Sequence, residues 1–91
     1  MSRCLRIAIC AVGWKSKWED SIAKYANKFE IEGVLQKHDD GVVRITACGE
    51  ENQLEDFLDE LYELFSESDS YVEEMEPFVK DRDYRGIFRV L

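Results

Sequence analysis

The chain has little of what specialised sequences are rich in, and each shortage removes a class of function. Bases are outnumbered, 12 against 20 acids, for a net charge of −8. A duplex, an RNA or an anionic membrane needs a basic stripe that displaces counterions, and here acids run from Glu19 to Asp83. Nucleic-acid and membrane partners are therefore disfavoured. No apolar run approaches the roughly 20 residues that cross a bilayer. The run Ile7 to Val12 follows a weakly basic start, but it is short and has no small-residue cleavage site, so it reads as a first strand and not a signal peptide. A cytoplasmic protein is expected. The three cysteines, Cys4, Cys10 and Cys48, are an odd number without the close pairing of a zinc or redox motif. They read as reduced structural thiols, and no metal or cofactor is implied. Repeats and low-complexity tracts are absent, and residues 1–91 form one domain of the size that supports a single small core.

What is there alternates and repeats in a legible way. Leu5, Ile7, Ile9 and Ala11 alternate with Arg6, Ala8, Cys10 and Val12, which is strand periodicity. Ser16-Lys17-Trp18-Glu19 matches an S-x-x-E capping box, with Ser16 as N-cap and Glu19 reaching back to its amide. Behind it Trp18, Ile22, Tyr25, Ala26 and Phe29 share one helical face. Ile31 to Gln36 reads as a second strand. His38-Asp39-Asp40-Gly41 supplies hairpin chemistry, and the return strand sets Val43, Ile45 and Ala47 against Arg44, Thr46 and Cys48 before Gly49. Leu54, Phe57, Leu58, Leu61 and Phe65 give a second helix whose outer face is Glu55, Asp56, Asp59, Glu60 and Glu63, with Asn52 and Glu55 as its cap. Ser66 to Ser70 is a polar connector. Tyr71 to Val79 reads as an edge strand because of Pro77, residues 80–83 as a turn, and Tyr84 to Leu91 as a last strand paired with or continuing it.

Strand, helix, strand, strand, helix, strand is the split βαβ order. It predicts an α+β, ferredoxin-like (βαββαβ) two-layer sandwich, an antiparallel sheet with two helices on one face. In the strand order four-one-three-two the first and third strands are neighbours. Parity then puts Cys10 and Cys48 on the uncovered face, where two thiols can form a redox pair or a soft metal site.

Chemistry is expected in the strand-to-helix loop Gly13 to Asp20. Helix-start amides lack internal partners and carry partial positive charge, so such loops attract anions. Lys15, Ser16, Lys17 and Trp18 are the anion-binding candidates, although the loop holds one glycine, at its front edge. Trp14 has no periodic partner and either packs on the loop or offers a contact surface. A second candidate surface is the uncovered sheet face, with Arg6, Cys10, Arg44, Thr46 and Cys48 facing a protein or a small anion.

The run Phe29-Glu30-Ile31-Glu32-Gly33-Val34, followed by Asp39-Asp40-Gly41-Val42-Val43-Arg44-Ile45-Thr46-Ala47-Cys48-Gly49, resembles the acylphosphatase family. There a helix ends in an L-G-L-x-G-W-V-x-N segment, and a D-G turn, a V-x-I-x-A-x-G strand and an acidic F-L-type helix follow, here Leu54 to Tyr62. Tyr84-Arg85-Gly86-Ile87-Phe88 is similar to the family's closing aromatic strand. The resemblance implies hydrolysis of acyl phosphates without metal or cofactor. A glycine-rich loop and an arginine at the helix start hold the phosphate, and an asparagine on the second strand orients water. Counted without gaps from Gly33, the matching positions hold Glu19 and Lys37. A carboxylate there repels a dianion, and lysine lacks the planar fork that grips phosphate at two points. A gap of two residues would instead bring Lys17 to the anchor position. The resemblance thus leads to an acylphosphatase-like domain that is catalytically degenerate and works as a small binding or interaction module. The alternative is an active enzyme that uses Lys15, Ser16 and Lys17 for phosphate and Gln36, Lys37 or His38 for water.

Overall fold

Alternation in the first strand decides which side of the sheet the helices cover. The computed structural model describes residues 2–11, 13–38, 41–66, 71–74 and 85–91. Its elements are β1 (Ser2–Cys10), α1 (Ser16–Lys28), β2 (Glu32–Lys37), β3 (Val42–Glu50), α2 (Glu51–Phe65), β4 (Tyr71–Glu74) and β5 (Phe88–Val90). Leu5, Ile7 and Ile9 of β1 point to the helices and join Val43, Ile45, Ala47 and Leu35 in the core. From α1 come Trp18, Ile22 and Ala26, and from α2 Leu54, Phe57, Leu58, Leu61 and Phe65. Each of the larger aliphatic and phenylalanine side chains among them, fully withdrawn from water, stabilises by roughly 1.5–3 kcal/mol against its exposed state. None of the described helices is long and apolar enough to cross a membrane.

The sheet order is β4-β1-β3-β2-β5. The ferredoxin-like fold and its four-one-three-two core are as expected, with one correction. The last strand neither pairs with nor continues β4; β5 runs parallel to β2 at the opposite edge, Gly33 beside Phe88 and Leu35 beside Val90. The sheet is therefore mixed and not wholly antiparallel. Bonds from Gly33 N–H to the Ile87 carbonyl and from Leu91 N–H to the Leu35 carbonyl hold it there, and Glu32 Oε2 accepts from Gly86 N–H at 2.7 Å.

Smaller differences have local causes. β1 runs from Ser2 to Cys10, earlier than the apolar pattern alone suggests, because β3 extends through Gly49 to Glu50 and pairs with its start. Gly49 therefore does not end β3, and α2 follows with no intervening loop. The hairpin closes with His38 N–H donating to the Val42 carbonyl and Gly41 N–H to the His38 carbonyl; Asp39 and Asp40 lie outside the described residues. So do most of the connector, the Met75 to Val79 stretch with Pro77, the turn at 80–83 and Tyr84.

A close strand approach and a left-handed helix ending each put a demand on one residue. A Cβ added to Gly33 would lie 1.8 Å from the Thr46 carbonyl oxygen, at a φ of +147°. Only glycine lets β2 approach β3 this closely. Glu30 has φ 57° at the end of α1, while Glu30 N–H donates to Asn27 and Ile31 N–H to Ala26. That is a Schellman ending with glutamate at the left-handed position that usually takes glycine, the position at which the family segment has its first glycine.

The cysteines correct the sequence expectation. Cys4 stands directly opposite Cys48 in the β1–β3 register, and the two form a disulfide with Cα atoms 4.1 Å apart. Cys10 is the free thiol, opposite Val42. Parity placed Cys10 and Cys48 on one face correctly, but the register separates them by six positions, about 20 Å along the strands. The reduced-thiol expectation therefore holds for Cys10 and fails for Cys4 and Cys48, and a Cys10–Cys48 pair does not form.

Candidate functional site

The loop between β1 and α1 is built on aromatic packing. Gly13 turns the chain at φ 69°. Trp14 then stacks on Phe65 of α2, with centroids 5.9 Å apart, and meets Trp18 edge-on at 5.1 Å. Trp18 in turn packs edge-on against Phe65 at 5.0 Å. Such pairs each add about 0.5–1.5 kcal/mol beyond the area they bury. Trp14 therefore packs inward from the loop, against α1 and α2. Its Nε1 is buried without a hydrogen-bond partner among the described residues, the cost of putting an indole among rings.

The helix start departs from the capping-box expectation. Ser16 is the first helical residue, the N-cap is Lys15, and no side chain caps the helix. Trp18 N–H bonds the Lys15 carbonyl at 3.0 Å. Of the anion-binding candidates, Lys15, Ser16 and Lys17 are exposed and Trp18 is buried. The Lys15 ammonium sits 5.7 Å from the centroid of the Trp18 ring, within cation–π range.

Glu19 does not reach back to Ser16 because it has a partner across the fold. Its Oε1 lies 3.1 Å from Lys37 Nζ at the end of β2. The Glu19 side chain is 14% exposed and that of Lys37 49%, so the carboxylate is largely screened from water while the ammonium keeps part of its hydration. The two positions reached by the gap-free count from Gly33, distant in the chain, thus face each other as an ion pair. Gln36 is on the opposite face of β2, level with Arg44, and leaves this site. His38 follows Lys37 with an exposed side chain. On the uncovered face Arg6 and Arg44 are exposed, Cys10 and Thr46 half-buried and Cys48 buried. The Asn52–Glu55 cap of α2 does not form either: the N-cap is Glu50, and Glu51 of the first turn pairs with Arg3 at 3.1 Å.

The chain is thus a two-layer α+β sandwich of the ferredoxin-like class, with its strand-to-helix loop beside the end of the second strand. The sequence profile described as Acylphosphatase matches residues 17–90, and the chain belongs to the acylphosphatase family. Among solved structures, an acylphosphatase from Bacillus subtilis superposes with a TM-score of 0.70 at 23% identity, covering 100% of this chain and 99% of that one. An acylphosphatase from Coxiella burnetii gives 0.71 at 19%, covering 99% and 93%. The fold also recurs within longer chains: Klebsiella pneumoniae BlrP1, solved with FMN and cyclic diGMP, matches with a TM-score of 0.74 at 18% identity over 100% of this chain and 26% of its own. No curated protein matches the sequence.

Proposed function

We propose that this acylphosphatase-family domain no longer hydrolyses acyl phosphates and works as a small binding or interaction module. The observation that carries the reading is the Glu19–Lys37 ion pair. Phosphoryl chemistry of this kind depends almost wholly on positioning and on charge placed to receive a dianion. With a carboxylate at the anchor, the Lys37 ammonium is already paired and an incoming phosphate meets repulsion first. Removing one preorganised donor commonly costs about 2.7–4 kcal/mol of transition-state stabilisation, and here both positions differ. Occurrence of the same fold as one part of longer chains supports a role as a module. Its ligand in this reading is a protein or a weakly held anion such as phosphate or an acyl phosphate.

The test is release of phosphate from benzoyl phosphate. A rate equal to buffer is expected. A rate above buffer that disappears in the Lys15→Ala, Lys17→Ala double variant would overturn the proposal in favour of an active acylphosphatase using the loop lysines. A cytoplasmic location belongs to the same reading and is tested by thiol trapping in cells, since an oxidising compartment keeps the Cys4–Cys48 bond closed.

A further inference from the structure

We infer that copies of this chain associate head to tail by sheet extension, β5 of one copy pairing antiparallel with β4 of the next. The inference concerns the sheet edges, away from the loop, and holds whether or not the domain hydrolyses acyl phosphates.

Backbone alternation fixes which groups each edge offers. Because Gly33 bonds Ile87 and Leu35 bonds Leu91, residues 87, 89 and 91 turn their N–H and C=O groups toward β2. Phe88 and Val90 turn theirs outward. At the other edge, the His38–Val42 bond assigns the even residues of β3 to β2 and the odd ones to β1. Through the β1–β3 and β1–β4 registers, Tyr71 and Glu73 then bond β1, and Val72 and Glu74 present their backbone groups outward. β5 is parallel to β2 and β4 antiparallel to β1, so a second copy in the same orientation meets β5 with an antiparallel β4. Setting Val90 opposite Val72 and Phe88 opposite Glu74 pairs the outward donors of both edges with acceptors.

Side chains agree with this register. Arg89 then stands directly opposite Glu73 in a non-hydrogen-bonded pair, the arrangement that brings side chains closest. Both lie on the uncovered face, since Arg89 is level with Val34 and Glu73 with Ala8. Both are exposed, and neither side chain has an ion-pair or hydrogen-bond partner among the described residues. On the helix side Val90 joins the partner's Val72. Among the described residues, three of the four large apolar side chains that stand out as exposed, Ile87, Val90 and Leu91, belong to this edge, Leu91 at 65%. An exposed strand edge with apolar side chains is a template for another strand. The interface repeats without closing a two-fold, so growth has no fixed stoichiometry unless a ring forms.

The experiment is light scattering of the full chain over a concentration series at low salt. A weight-average mass that climbs continuously is expected. Arg89→Glu and Glu73→Arg each place like charges opposite one another and lower the association constant about tenfold. They move the net charge of −8 in opposite directions, to −10 and −6, so a common loss is not a bulk charge effect. In an equimolar mixture of the two variants, the introduced glutamate of one copy meets the introduced arginine of the next, and association returns. A constant monomer mass, a limit at the dimer, or a mixture that stays monomeric overturns the inference.

Discussion

The two helices use the same sheet and end up secured in different ways. α2 buries a continuous stripe of five large residues and leaves β3 without a loop. α1 buries only Trp18, Ile22 and Ala26, with Tyr25 and Phe29 partly buried beside them. Neither start has a side-chain cap. Each is met instead by a carboxylate of its own first turn, Glu51 in α2 and Glu19 in α1, which complements the helix dipole. Glu51 pairs with Arg3 in the open, the two side chains 51% and 37% exposed, whereas Glu19 is nearly enclosed when it meets Lys37. The ends differ too. α2 finishes in right-handed geometry with Ser66 Oγ donating to the Glu63 carbonyl at 2.8 Å, and α1 finishes with Glu30 in a left-handed conformation. The lesson is that α2 is held by apolar area and α1 by a few specific contacts, and those contacts coincide with the place where the family resemblance locates chemistry.

Substitutions can break this contrast in order of size. Trp18→Ala should cost about 3–5 kcal/mol in chemical denaturation, similar to Phe57→Ala in α2. The former should also release Trp14, seen as a red shift in native-state emission that Phe57→Ala does not produce. Next comes the anchor. Glu19→Arg with Lys37→Asn restores the residue types that the family resemblance implies, and hydrolysis of benzoyl phosphate should rise at least about tenfold over the parent chain; no rise would mean that the loop backbone, and not this pair, is limiting. Glu30→Gly should stabilise by about 1 kcal/mol, because glycine occupies the left-handed region without the Cβ penalty. A matched Ser66→Gly change in α2 should not, as Ser66 is right-handed. Smallest are the coupling energies from double-mutant cycles. Glu19–Lys37 should give about 1 kcal/mol and Arg3–Glu51 less than about 0.5 kcal/mol, with the exposed pair fading first as salt is added.

Much of the fold could be read from local pattern because the local signals were strong. The helical repeat of Leu54 to Phe65 and the alternation on either side of Gly41 each determine an element without reference to the rest. Elements that depend on distant partners were not legible. Ser16 and Glu19 have the spacing of a capping box, yet Lys37 offers Glu19 a full charge at 3.1 Å, a stronger partner than a neutral amide. Cys4 and Cys48 needed the β1–β3 register, which no turn connects, so parity could name the face and not the partner. The parallel seat of β5 was hidden for the same reason, since a strand of 3 residues carries too little periodicity to name a neighbour. For the site, counting from Gly33 led to Glu19 and Lys37; their direct contact belongs to the tertiary structure alone. Trp14 lacked a periodic partner in the sequence because it lies in a loop and the ring it stacks on, Phe65, belongs to α2.

The aromatic trio has an optical consequence. The chain has two tryptophans, and their rings are 5.1 Å apart. Indoles that close couple their transitions, so the pair should give a paired positive and negative band in ultraviolet circular dichroism and an emission weighted to the buried ring. With no other tryptophan to dilute it, that signal reports on the start of α1 alone, and whatever grips or loosens this loop will be recorded in the light the protein absorbs and emits.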